Sequence, residues 1–139
     1  MEIDRIRIWD FFFLFPDQTK NISFPRHLHY LKQSTLRTYN PYDELTDPQR
    51  VFDQMKEYQL LALKYLVAYG FINSELLSKE DVERTNKRIP TKLLERMNEV
   101  NNAENFIIKL ALSFADLPLS GEGGLKYRTK LVDIRYDPA

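Results

Sequence analysis

Asp47-Pro48-Gln49-Arg50-Val51-Phe52 opens, and Leu66-Val67-Ala68-Tyr69-Gly70-Phe71 closes, the segment that decides the fold. Asp47 is a good helix N-cap, and Pro48 suits the first helical position, where its missing N–H is no loss. Val51, Phe52, Met55, Gln59, Ala62, Leu63, Leu66 and Tyr69 then recur at helical spacing. Gly70 fits the left-handed stop, with Phe71 placed for the hydrophobic contact that accompanies such caps. Leu60 to Tyr69 is apolar nearly all round except at Lys64, a pattern that predicts a central, buried helix.

A second long helix is predicted from Thr91 to about Leu117. Leu93, Leu94, Met97, Val100, Ile107, Ile108, Ala111, Leu112 and Ala115 lie on one side of it, and Glu104 inside that stripe needs a partner if buried. Pro118 and Gly121 end it. Ser78 with Asp81 resembles a capping box for a short polar helix to about Arg88, closed by Pro90. Residues 3–15 place Ile3, Ile6, Trp9 or Asp10, and Phe13 at helical spacing, with Asp4 in the first turn where the dipole favours an anion. Ile6, Ile8 and the phenylalanines also permit a strand, but a helix is preferred. Residues 16–46 hold three prolines and predict an irregular, packed connection. The sum is a mainly α, compact helical domain built on two long helices (about 48–69 and 91–117), with a short C-terminal β element.

That β element rests on Leu117-Pro118-Leu119-Ser120-Gly121-Glu122-Gly123-Gly124 and the alternation that follows, Lys126, Arg128 and Lys130 beside Tyr127, Arg135 and Tyr136. If extended, residues two apart share a face, and the three cations form one stripe suited to an acidic partner. A helix scatters them around its circumference.

Composition bounds the rest. At 139 residues a single domain spanning 1–139 is expected. Six charges of each sign fall in residues 1–46, seven of each in 47–90 and seven of each in 91–139. No third is a polycationic arm, which argues against strong non-specific DNA binding by the chain alone. The absence of cysteine excludes disulfides, thiolate metal sites and cysteine nucleophiles. Glu2 and Asp4 do not suit a signal peptide, and no apolar run reaches a membrane span, so a cytoplasmic protein without a membrane partner is expected.

Catalytic patterns are sparse. His27 and His29 lack the further ligands a zinc site requires. Gly121 to Lys126 follows a helix and has Tyr127 after its lysine, unlike a phosphate loop, which follows a strand and continues with Ser or Thr. Ser120 has no nucleophile-elbow context. Asp133, Arg135 and Asp137 read as solvated ion pairs or as a docking element. No catalytic, cofactor or metal residue is expected. Tyr39, Tyr42, Tyr127 and Tyr136, beside prolines or cations, are candidate interface anchors.

Taken in order, Ile3-Asp4-Arg5-Ile6-x-Ile8-x-Asp10-Phe11, Asn40-Pro41-Tyr42, the Pro48 to Gly70 helix, Pro118-Leu119-x-Gly121-x-x-Gly124-Leu125-Lys126-x-Arg128-Thr129-x-Leu131 and Arg135-Tyr136-Asp137 resemble the small middle component of ABC-three-component systems. These are bacterial conflict systems, and Lamassu anti-phage defence is one of them. The resemblance implies a non-catalytic adaptor between an SMC/Rad50-like ABC ATPase and an effector, commonly a nuclease, with DNA met only through the complex. On that reading Trp9, Phe11, Phe12 and Phe13, together with Lys126, Tyr127, Arg128, Lys130, Arg135 and Tyr136, are the expected partner contacts. The alternative is a small winged-helix-like DNA-binding regulator that reads DNA with the Ser78–Arg88 helix through Lys79, Arg84, Lys87 and Arg88. Glu80, Asp81 and Glu83 would face phosphates badly in that role.

Overall fold

The computed structural model describes residues 1–33, 45–103 and 105–132. Its helices are α1 (Ile3–Leu14), α2 (Pro48–Ala68), α3 (Ser74–Ser78), α4 (Thr91–Ala103), α5 (Asn105–Ser113) and α6 (Leu125–Thr129), with 3₁₀ turns at Pro16–Asn21 and Arg26–Leu31. The protein is mainly α. Only isolated β-bridges, Glu2 to Asp81 and Ile72 to Arg84, occur among the described residues.

Helix α1 is the axis of the molecule. Arg5, Arg7, Ile8, Trp9, Phe11 and Phe12 are all buried, more than one face of a helix, so α1 must be covered from several sides. The covers are the first half of α2 through Phe52, the 3₁₀ segment through Ile22, Phe24, Leu28 and Leu31, α5 through Ile107 and Leu110, and the closing segment through Leu125 and Leu131. Aromatic edges knit these pieces together: Phe11 meets Phe52 at 6.1 Å and 87°, and Phe114 meets Trp9 at 5.6 Å and 89°. Such edge-to-face pairs add to the stabilisation from burial.

Helix α2 forms for the local reasons its sequence gives. The Asp47 carboxylate accepts from Arg50 N at 3.1 Å, and Pro48 stands in the first turn. At the other end Gly70 has φ 81°. Phe71 N donates to Leu66 O and Gly70 N to Val67 O, both at 2.9 Å, the pair of bonds that defines a Schellman stop.

Four expectations need correction. Leu61, Tyr65, Leu66 and Tyr69 are exposed rather than central: Leu63 alone of that half is buried, and the rest of its circumference is left largely uncovered. The helix expected from Ser78 is instead α3, capped by Asn73, whose Oδ1 accepts from Glu75 N and Leu76 N. Ser78 sits at its end, donating its hydroxyl to Glu75 O at 2.6 Å. The second long helix is described as α4 and α5, and it ends at Ser113 rather than near Leu117. Beyond that point the Arg5 guanidinium takes the carbonyls of Phe114 and Leu117 that further helix would have used.

The fourth correction concerns the C-terminal segment: residues 125–129 are helical, not extended. The glycine turn folds back so that Leu125 N and Lys126 N donate to Pro118 O and Leu119 O at 2.8 and 2.9 Å. Leu125 and Thr129, four apart, then share the buried side. Residues 39, 40–42, 104, 133 and 135–137, which carry the remaining expectations, lie outside the described residues.

Candidate functional site

Of the ten residues expected to meet a partner, the eight among the described residues do not share one surface. Phe11 and Phe12 are core residues, at 0% and 1% exposure, and their rings are spent inside the chain. That part of the expectation is corrected: a run of aromatics marks the centre of the fold here. Trp9 is also buried, its Nε1 without an acceptor among the described residues. Together with the half-buried Phe13 it lines an open groove of about 740 Å³ between α1 and α5. Ile6 lines the same groove from α1, and Ile108, Ala111 and Leu112 line it from α5.

The cations do not form a stripe. Lys126 is buried, with Nζ 3.2 Å from Asp4 Oδ2. Arg128 is held by backbone, donating from Nε to Gly123 O at 2.7 Å and from Nη1 to Ser23 O at 3.0 Å. Lys130 is exposed, in the left-handed conformation with φ 58°, and Tyr127 faces solvent. Arg135 and Tyr136 lie outside the described residues. Two of the three cations thus tie the closing segment to the body of the fold.

Two buried arginines complete that network. Arg7 donates to Gln59 Oε1 at 2.9 Å and to Asp4 Oδ1 at 2.9 Å, and its guanidinium lies 4.3 Å over the Phe52 ring. Burial would push the Asp4 carboxyl up, but hydrogen bonds from Arg7 and Lys126 outweigh it and hold the group below the usual aspartate range. A carboxyl depressed on folding contributes stability that is complete above its unfolded pKa, about 3.9, and is lost as pH falls through the folded value. Asp4→Asn is therefore expected to melt lower than the parent at pH 7. It should also lose less melting temperature than the parent between about pH 5 and 3. Parallel curves for the two proteins in that window would show that this carboxylate is not a source of the acid sensitivity.

What the sequence reading missed is the amount of apolar surface left uncovered. On α4, Leu93, Leu94, Met97 and Val100 are between 39% and 45% exposed. No residue of α4 is buried. On α2, Tyr58, Leu61, Tyr65 and Tyr69 recur at helical spacing along one face, and all are exposed. A signal for this was present. The apolar stripe of residues 91–103 sits on a segment whose other positions are charged, polar or small, Asn98, Asn101 and Asn102 among them, a composition that suits a helix with solvent on most sides. Single exposed apolar residues mean little, but contiguous ones mark interaction surfaces. Among the described residues no group of histidines and carboxylates is placed to hold a metal ion, and no helix is long and apolar enough to cross a membrane.

No curated protein and no solved structure matches the chain. A family model does match, that of the ABC-three component (ABC-3C) system Middle Component 5, and it runs over residues 1–137. It takes in the α1 axis, the capped α2, the bare α4 and the glycine turn alike, and by that extent the chain belongs to the middle-component family of ABC-three-component systems.

Proposed function

We propose that the chain is a non-catalytic adaptor that joins an SMC/Rad50-like ABC ATPase to an effector nuclease in a bacterial anti-phage defence complex of the Lamassu kind. Membership of the middle-component family supports a role among protein partners. The observation that carries the adaptor role is the bare apolar face of α4, with Leu93, Leu94, Met97 and Val100 all turned to solvent. Leaving a face of that kind in water forgoes roughly 25 cal/mol per Å² of apolar area, which a partner recovers by covering it. Lys126 and Arg128 of the closing segment are spent on the fold itself, and on this reading the partner surface lies on the helices.

Serine at Leu93, Met97 and Val100 together should leave the circular-dichroism melt within a few degrees of the parent, because none of these side chains belongs to the buried core. Co-purification of the tagged chain with the other two components of its system should fall at least about tenfold. Full assembly and full plaque protection by the triple variant would sink the assignment of α4.

A further inference from the structure

Between the bare end of α2 and the bare face of α4 runs a stretch made of the loop Arg84-Thr85-Asn86-Lys87-Arg88-Ile89-Pro90 and the first two residues of α4, Thr91-Lys92. It carries four cations, and no acidic residue interrupts the span from Glu83 to Glu95. The loop is not a free strand of charge. Thr85 Oγ1 donates to Gly70 O, and Thr85 N donates to Phe71 O at 2.9 Å. Lys87 Nζ donates to Tyr69 O and lies 4.9 Å over the Phe71 ring. These contacts pin the loop against the C-terminal end of α2. Its other flank meets α4: Arg84, Lys87, Arg88 and Leu94 line one open recess of about 520 Å³.

Arg84, Arg88 and Lys92 are exposed. None of the three side chains has a hydrogen-bond or ion-pair partner among the described residues, unlike those of Lys87, Lys126 and Arg128. The pinned loop and the first turn of α4 thus present three unspent cations, with Tyr69 at the end of α2 on one side and Leu94 of α4 on the other.

We infer that this surface takes an acidic amphipathic helix of a partner subunit, its apolar side on α4 and the end of α2 and its carboxylates on Arg84, Arg88 and Lys92. The inference rests on the adaptor reading and specifies where, and by what chemistry, one partner is held. Charge complementarity selects the occupant. An unpaired basic rim beside an apolar centre repels a basic helix and matches an acidic one. Helix-in-groove recognition uses an apolar face of this kind for its anchors. A nucleic acid would satisfy the cations but would leave Leu93, Leu94, Met97 and Val100 in water, so a protein segment fits the whole surface better.

The test uses the complex purified through the tagged full-length chain together with the other two components of its system. Zero-length carbodiimide coupling joins an amine only to a carboxylate in direct contact. Mapping by mass spectrometry is expected to link Lys92 to Asp or Glu residues within an amphipathic helical segment of one partner. The variant R84E/R88E/K92E is expected to retain that partner at least about tenfold less while melting like the parent. Reversal of Lys109, elsewhere on the molecule, should change nothing. A parent complex in which Lys92 couples to no partner carboxylate, or a triple variant that assembles normally, overturns this surface and leaves the adaptor reading standing. Partner loss on nuclease digestion of the parent complex also overturns it, in favour of nucleic acid at the loop. A parent chain that purifies without either component overturns the adaptor reading, and this inference with it.

Discussion

Phe114→Ala is expected to cost about 3–5 kcal/mol of folding stability, the range for emptying a fully buried aromatic site. Phe114 is 0% exposed and stands at the meeting point of three elements. Its ring meets Trp9 of α1 at 5.6 Å and 89°, and Phe24 of the connecting segment at 5.4 Å and 88°. The backbone there is equally committed, since Phe114 O accepts from the buried Arg5 guanidinium. The walls of the site are thus fixed by hydrogen bonds and cannot collapse far into the space the ring leaves. That geometry puts the expected loss toward the upper end of the range. Urea unfolding should show the midpoint falling by about 1–3 M with little change in slope. Phe114→Leu, which keeps most of the volume, should cost much less. A loss below about 1 kcal/mol for the alanine variant would mean that the aromatic junction is not what joins α1 to the end of α5.

The second large effect is expected at Gly124. A methyl group there would stand 2.5 Å from Ser120 O, 2.9 Å from Ser120 C and 3.0 Å from Pro118 O, all backbone atoms. Pro118 O is already engaged by Leu125 N at 2.8 Å, so it has no freedom to retreat. The backbone of Gly124 itself, with φ −76° and ψ 173°, suits any residue, which makes the clash the whole of the effect. Gly124→Ala is expected to cost about 2–3 kcal/mol or more, as overpacking against an unyielding wall does. Gly121 provides the contrast: its added methyl would meet nothing within 4 Å, but φ is +87°. Its alanine variant should lose only about 1–2 kcal/mol, through backbone strain. Thermal melts of the two variants would decide the matter, and the reverse order would refute the steric account.

The sequence made the ends of α2 legible because cap chemistry is local: Asp47, Pro48 and Gly70 act on atoms within a few residues of themselves. Helix α1 was legible for the same reason, from its spacing and from Asp4 in its first turn. Burial was not legible, because it depends on which elements arrive from elsewhere in the chain. Leu61 and Tyr65 carry the same pattern a core helix would, and only the absence of a covering element separates the two cases. Phe11 and Phe12 show the converse, an aromatic run that resembles a sticky terminus and is the middle of the core.

Lys126 and Arg128 failed as a docking stripe because alternation in sequence becomes a shared face only in an extended chain, and the tight turn at Gly124 starts a helix instead. The cations near Ser78 were noticed for the wrong reason. Arg84 and Arg88 belong to a loop, so the DNA-reading helix that motivated the regulator alternative is not formed. The family resemblance stood on the order of motifs along the whole chain, and the match over residues 1–137 bears it out.

The placement of α1 has a consequence for how the protein is made. Helix α1 is synthesised well before part of its cover: Phe52 lies about forty residues downstream, and Phe114, Leu125 and Lys126 about a hundred. At a synthesis rate of about 5–20 residues per second, Trp9 waits on the order of 5–20 s before its Phe114 partner exists. A nascent chain that stops short of Phe114 cannot bury Trp9 as the whole fold does. Completion of this fold is therefore tied to synthesis of the glycine turn and α6, and a holding chaperone is expected on the emerging chain until then.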